Sequence, residues 1–347
     1  MAKNQAYREA EQKIEIARQS EAAELDLSGD DGKKLSKLSE LPETLSRLAH
    51  LKNLNLSANQ LNTLPDWLGQ LSQLQILDIS HNPLKVLPPF LGDFTMLHWL
   101  DVSGNQLAAL PDEIGQLKQL QSLSVHGNQL RTLPESIGHL TELRALNMGG
   151  NLLATLPNCL RKLSLSRLDI GCETLSDLPD WFVELNALEE LILASAGGSC
   201  RWAEIPSCLF ELKELKKLWF FNCGLASLPI RIRELTNLNE IHLGYNQLTK
   251  ISSELLQIKA LLRIFLNKNK LSVLPDSWSE LTELKSIILD DNGIRDLPAS
   301  LGQLQKLERI SLDRNPLSPE LDAANKEGFD AVKRYLRAQA DAKVPAQ

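Results

Sequence analysis

One string recurs along the chain: L-x-x-L-x-L-x-x-N-x-L-x-x-L-P-x-x-L-x-x-L. Its cleanest copies are LQILDISHNPLKVLPPFLGDF from Leu74 and LKSIILDDNGIRDLPASLGQL from Leu284. A marker Leu or Ile sets the register at Leu25, Leu54, Leu77, Leu100, Leu123, Leu146, Leu168, Leu191, Leu218, Ile241, Ile264, Ile287 and Ile310. Most steps are 23 residues; Leu146 to Leu168 is 22, Leu191 to Leu218 is 27 and Leu25 to Leu54 is 29. A fixed short period means stacked units, none of which can bury its apolar face alone. The expected fold is therefore an α/β repeat solenoid of about thirteen units.

Each part of the unit has a physical role. The L-x-L pair alternates with polar residues and predicts a short strand with one buried face. Stacked units would join these strands into one parallel sheet, roughly 4.8 Å per strand. An Asn (Asn59, Asn82, Asn105, Asn128, Asn151, Asn246, Asn269, Asn292, Asn315) stands where the chain leaves the strand. Its amide can satisfy backbone groups that the turn would strand in the core. Leu-Pro (Leu64-Pro65, Leu110-Pro111, Leu297-Pro298) then predicts a short helix with Pro in its first turn, where no donor is wasted.

An open end would expose the Leu stack, so both ends need covers. Tyr7, Ala10, Ile14 and Ala17 share one helical face, which predicts an N-terminal cap within residues 1–24. Residues 25–318 carry the repeats. Pro319 to Ala340 places Phe329, Val332 and Leu336 on one face, predicting one cap helix and a tail within 319–347.

The 23-residue Leu-Pro form resembles the intracellular class of leucine-rich repeats, which includes Ras-suppressor-like scaffolds, plant intracellular Ras-group proteins and bacterial type III effectors. That resemblance implies a horseshoe with the sheet on its concave face and a role in protein binding. AEQKIEIARQSEAAELDLSG at Ala10 and NPLSPELDAANKEGFDAVKRYLRA at Asn315 are similar to the borders of the repeat domain in bacterial Roco proteins and related stand-alone bacterial proteins. There a GTPase module follows the array. Here no G-x-x-x-x-G-K-[ST] occurs, and GDDGKK at Gly29 has the wrong glycine spacing.

No H-E-x-x-H, G-x-S-x-G or C-x-x-C is present, so no catalysis and no cofactor or metal is expected. His81 and His126 both flank strand exits but two units apart, and read as solvated polar residues. No apolar run reaches membrane-spanning length, and the charged start is no secretory signal. The five scattered Cys predict a reduced, cytoplasmic setting. A net charge of −7 disfavours nucleic acid as partner.

The informative positions point outward from the sheet. The residue after each marker reads Asp26, Asn55, Asp78, Asp101, Ser124, Asn147, Asp169, Ile192, Trp219, His242, Phe265, Ile288, Ser311. It turns apolar and aromatic from Ile192 to Ile288. Phe221 lies in the next column, Tyr245 at a strand exit, and Lys217, Glu240 and Arg263 along the other border. Asn is missing where Glu173, Ala196 and Cys223 stand, beside an inserted loop ending at Trp202. Exposed apolar patches mark interaction sites, and Trp, Tyr and Arg dominate binding hot spots. The expected partner-binding set is therefore Ile192, Trp202, Trp219, Phe221, His242, Tyr245, Arg263, Phe265 and Ile288. Self-association and plain cross-strand packing are the competing roles for this stripe. The acidic column Asp26, Asp78, Asp101 and Asp169 suits a basic partner segment or a solvated face.

Overall fold

The computed structural model describes residues 5–29, 37–171, 174–175, 177–194, 202 and 204–342. It comprises two compact units, Met1–Leu175 and Ser176–Gln347.

The first unit opens with α1 (Gln5–Gln19), which buries Ala6, Tyr7, Ala10, Ile14 and Ala17. Seven parallel strands follow: β1 (Glu24–Asp26), β2 (Asn53–Asn55), β3 (Ile76–Asp78), β4 (Trp99–Asp101), β5 (Ser122–Ser124), β6 (Ala145–Asn147) and β7 (Arg167–Asp169). The second unit carries β8 (Glu190–Ile192), β9 (Lys217–Trp219), β10 (Glu240–His242), β11 (Arg263–Phe265), β12 (Ser286–Ile288) and β13 (Arg309–Ser311). Every marker Leu or Ile is the central residue of its strand and is buried. Within each unit, marker pairs with marker: Leu77 with Leu100, Ile241 with Ile264. The periodicity thus sets the register, since a slip of one residue would turn every Leu outward.

The Asn residues form a buried ladder. The Asn82 amide donates to the carbonyls of Leu56 in the previous repeat, and of Ile79 and Ser80 in its own, at 3.0, 3.2 and 3.1 Å. Its Oδ1 accepts the Leu61 N–H at 3.0 Å. Asn246 does the same in the second unit, accepting from both Cys223 and Leu225. Cys223 itself stands at a ladder position, and its thiol donates to the Leu193 carbonyl at 3.2 Å, keeping one of the bonds an Asn would make. Glu173 and Ala196, where the ladder was expected to fail, lie outside the described residues.

The helical segments are 3-10 turns such as Asp66–Gln70, and Pro sits one place earlier than expected. Pro65 precedes the turn in an extended conformation, and its carbonyl accepts the Leu68 N–H at 2.9 Å. A turn this short needs an acceptor ahead of it more than a donor-free first residue. The C-terminal cap is two helices, α2 (Pro319–Glu327) and α3 (Phe329–Ala342), where one was expected. Gly328 divides them at φ +112°, a backbone that a side chain rarely allows. Val332 and Leu336 are buried as the pattern required, Phe329 is only half-buried, and Ala331 is buried in addition.

A further regularity was not foreseen. The residue four after the marker takes a left-handed backbone in repeat after repeat. The first unit places Ala58, His81, Gly104, Gly127 and Gly150 there, and the second Asn222, Tyr245, Lys268, Asp291 and Arg314. The backbone N–H of nine of these ten, all but Arg314, bonds a carbonyl of the next repeat, as Tyr245 does to Asn267 at 2.9 Å and Ala58 to Ser80 at 2.9 Å.

Candidate functional site

Strands β8 to β13 set the expected stripe side by side. The pairing Ile192, Trp219, His242, Phe265, Ile288, Ser311 is continuous across the second unit. The rings of His242 and Phe265 lie 3.9 Å apart and nearly parallel, at 9°. Trp219 packs on the other side of His242 at 4.5 Å. The imidazole is thus held between two aromatic rings, stacked on Phe265 and tilted 39° to Trp219.

The neighbouring row alternates in charge: Glu190, Lys217, Glu240, Arg263. Glu240 is its hub, only 7% exposed. One carboxylate oxygen accepts from His242 Nε2 at 2.6 Å, and the other from Arg263 Nε at 2.6 Å. Lys217 reaches Glu190 at 3.5 Å. Burial lowers the His242 pKa against the pull of Glu240, so the ring is neutral at pH 7 and donates through Nε2. Burial alone would raise Glu240, but the bonds from His242 and Arg263 outweigh it and hold the carboxyl below its usual range.

The nine expected site residues divide accordingly. Trp219, Phe221, His242, Phe265 and Ile288 are half-buried, Arg263 is exposed, and Tyr245 is 50% exposed with the Lys268 ammonium 4.5 Å above its ring. Ile192 and Trp202 are corrections. They are 6% and 4% exposed and offer almost nothing to a partner. Ile192 is covered at the end of the row next to Trp219, and the Trp202 indole contributes its apolar mass to the core instead. Apart from Trp202, the inserted loop lies outside the described residues. The sequence reading also missed Lys268 and the hub role of Glu240; the alternation of sign down that column was the signal.

Thirteen repeat-marking strands, an Asn ladder and short turns opposite the sheet decide the fold. It is the leucine-rich-repeat solenoid. A model of a leucine-rich repeat region matches residues 89–192, and one of the leucine rich repeat matches residues 33–84. Neither describes a catalytic family. No curated protein sequence matches the chain. Among solved structures, a leucine-rich-repeat protein of Leptospira interrogans is 28% identical, with a TM-score of 0.51 over 90% of this chain and 96% of that one. An internalin from Listeria monocytogenes reaches a TM-score of 0.68 at 18% identity, over 89% of each chain, a likeness of fold alone. The Arabidopsis receptor kinase HAESA, solved with the peptide hormone IDA and the co-receptor SERK1, is 26% identical with a TM-score of 0.57; the match spans 88% of this chain and about half, 49%, of that one. The leucine-rich-repeat fold is commonly a protein-interaction module.

Proposed function

We propose that this chain is a non-catalytic interaction module that holds a protein segment against the open sheet face of its second unit. The observation that carries the reading is the aromatic row Trp219–His242–Phe265, half-buried and flanked by the exposed Tyr245 and Arg263. Stacked rings give a rigid apolar floor at little entropic cost, and the edge charges set orientation. The HAESA complex supports a peptide-like occupant by analogy of fold. Cys223, used as a thiol donor inside the ladder, supports a reduced cytoplasmic setting. The flanking segments Ala10–Gly29 and Asn315–Ala338 favour a second, regulatory reading beside a Roco-like GTPase, in which the same face senses the partner.

The test is affinity capture followed by titration of the purified partner. Tyr245→Ala and Phe265→Ala should each weaken binding by about tenfold or more, as hot-spot residues do. Light scattering across concentrations separates the competing role. A dimer that dissociates in Phe265→Ala would mean that the stripe joins two copies, and the heterotypic reading would fall.

A further inference from the structure

We propose that the open face of β1–β4 in the first unit is a second binding site, which takes an extended cationic peptide through its arginine or lysine side chains. The site is a groove of about 470 Å³ on that face. One wall is the row Asp26, Asn55, Asp78, continued by Asp101 on the next strand. The other wall carries Ile76, 39% exposed, beside the half-buried Trp99.

The charge in this groove is only lightly compensated: the Lys13 ammonium donates to the Asp26 backbone carbonyl at 3.1 Å, not to a carboxylate. Asp26, Asp78 and Asp101 each give one oxygen to the backbone N–H two residues on, at 2.8, 2.9 and 2.7 Å, which fixes the carboxylates in place. Among the described residues none of the three is ion-paired. The second unit behaves differently, since Glu240 and Glu190 there meet Arg263 and Lys217. Three oriented carboxylates beside an indole and an isoleucine match one chemistry well. A guanidinium stacks on an indole face while its N–H fork pairs with a carboxylate, and a lysine lays its methylenes on the apolar wall. A lone divalent cation fits poorly, because no group of three ligating side chains converges among the described residues. Nucleic acid would be repelled.

The spacing favours an extended occupant. Asp26 and Asp78 are two strands apart, roughly 10 Å. A polyproline II segment advances about 9 Å per turn of three residues, so basic residues three apart meet both carboxylates from one side. This site is independent of the face proposed in the second unit.

The probe is a fluorescein-labelled peptide of four arginines separated by Pro-Pro pairs, with glutamine replacing arginine in its control, read by anisotropy on the full chain. The arginine peptide should bind, more weakly as salt rises, and the glutamine peptide should not. Asp26→Asn with Asp78→Asn keeps the oxygens that cap the turns, and should cut affinity about tenfold. Trp99→Leu leaves charge untouched and should cut it about fivefold. Glu308→Gln with Glu327→Gln removes the same charge elsewhere and should change nothing. Thermal melts by circular dichroism confirm that each variant is folded. The proposal is overturned if the wild type binds neither or both peptides, if the charge control weakens binding as much as the groove variants, or if folded Trp99→Leu binds unchanged.

Discussion

In ten of the repeats a single residue bears most of the local strain. The position four after the marker is left-handed, and only glycine adopts that backbone freely. Gly104 meets the demand at φ +64°, and a Cβ there would lie 2.5 Å from His81 Nδ1. Gly104→Ala should therefore destabilise by more than about 1 kcal/mol. Ala58 holds the same backbone at φ 57°, so Ala58→Gly should gain up to about 1 kcal/mol, seen as a higher urea midpoint. The ladder residues obey a different logic. Asn246→Ala would leave the N–H groups of Cys223 and Leu225 and the Phe220 carbonyl without their partner, at a cost of about 3–5 kcal/mol. A loss under 1 kcal/mol in chemical denaturation would mean that water replaces the amide. The Asn spacing made this ladder readable from sequence. The left-handed column was not, because Ala, His, Tyr, Lys, Asp and Arg share no chemistry there. What nine of the ten share is a backbone N–H bonded to a carbonyl of the next repeat.

At the scale of strands, the row and its charged neighbour act together. His242 is held neutral chiefly by burial, while Glu240 is held charged by His242 and Arg263. A lowered folded pKa means that the unfolded chain binds the proton more readily, so both groups contribute stability at high pH and lose it on acidification. For His242 that contribution is complete above the ordinary value of 6.5 and declines as pH falls below it. For Glu240 the loss begins below 4.5. Urea midpoints measured between pH 7.5 and pH 5 should therefore fall, and His242→Gln should flatten that slope even though it lowers the plateau. An equal slope in the variant would place the proton elsewhere. The sequence column announced that β8–β12 carry an apolar stripe, but not how much of it reaches solvent. Alternation along a strand says which way a side chain points, not how deeply residues such as Ile192 and Trp202 are buried. The same limit hid the break at Gly328. Helical periodicity runs through Pro319 to Ala340, and one glycine at φ +112° outweighs it.

At the scale of the molecule, stability is a sum over neighbours. Each repeat meets the one before and the one after, so damage should stay local. Leu123, at the centre of β5 and 1% exposed, should cost about 2–5 kcal/mol when changed to Ala. Hydrogen exchange should then quicken in β4 to β6 before it does in β1. Uniform quickening across the first unit would show that it opens as one cooperative body. The same additivity explains why the repeat announced the fold so plainly, since each marker repeats evidence for the last. It also explains why function was fainter. Only deviations from the pattern carry it, and each is written once.

The pairing of marker with marker has an evolutionary consequence. Because the regular 23-residue repeats offer their neighbours the same register, the same Asn acceptor and the same left-handed exit, duplicating one such stretch adds a strand in the existing register. A lineage can lengthen its aromatic row or its acidic groove by copying, and then edit two or three outward residues. Recognition in such a chain can change by whole words, while the grammar that folds it stays fixed.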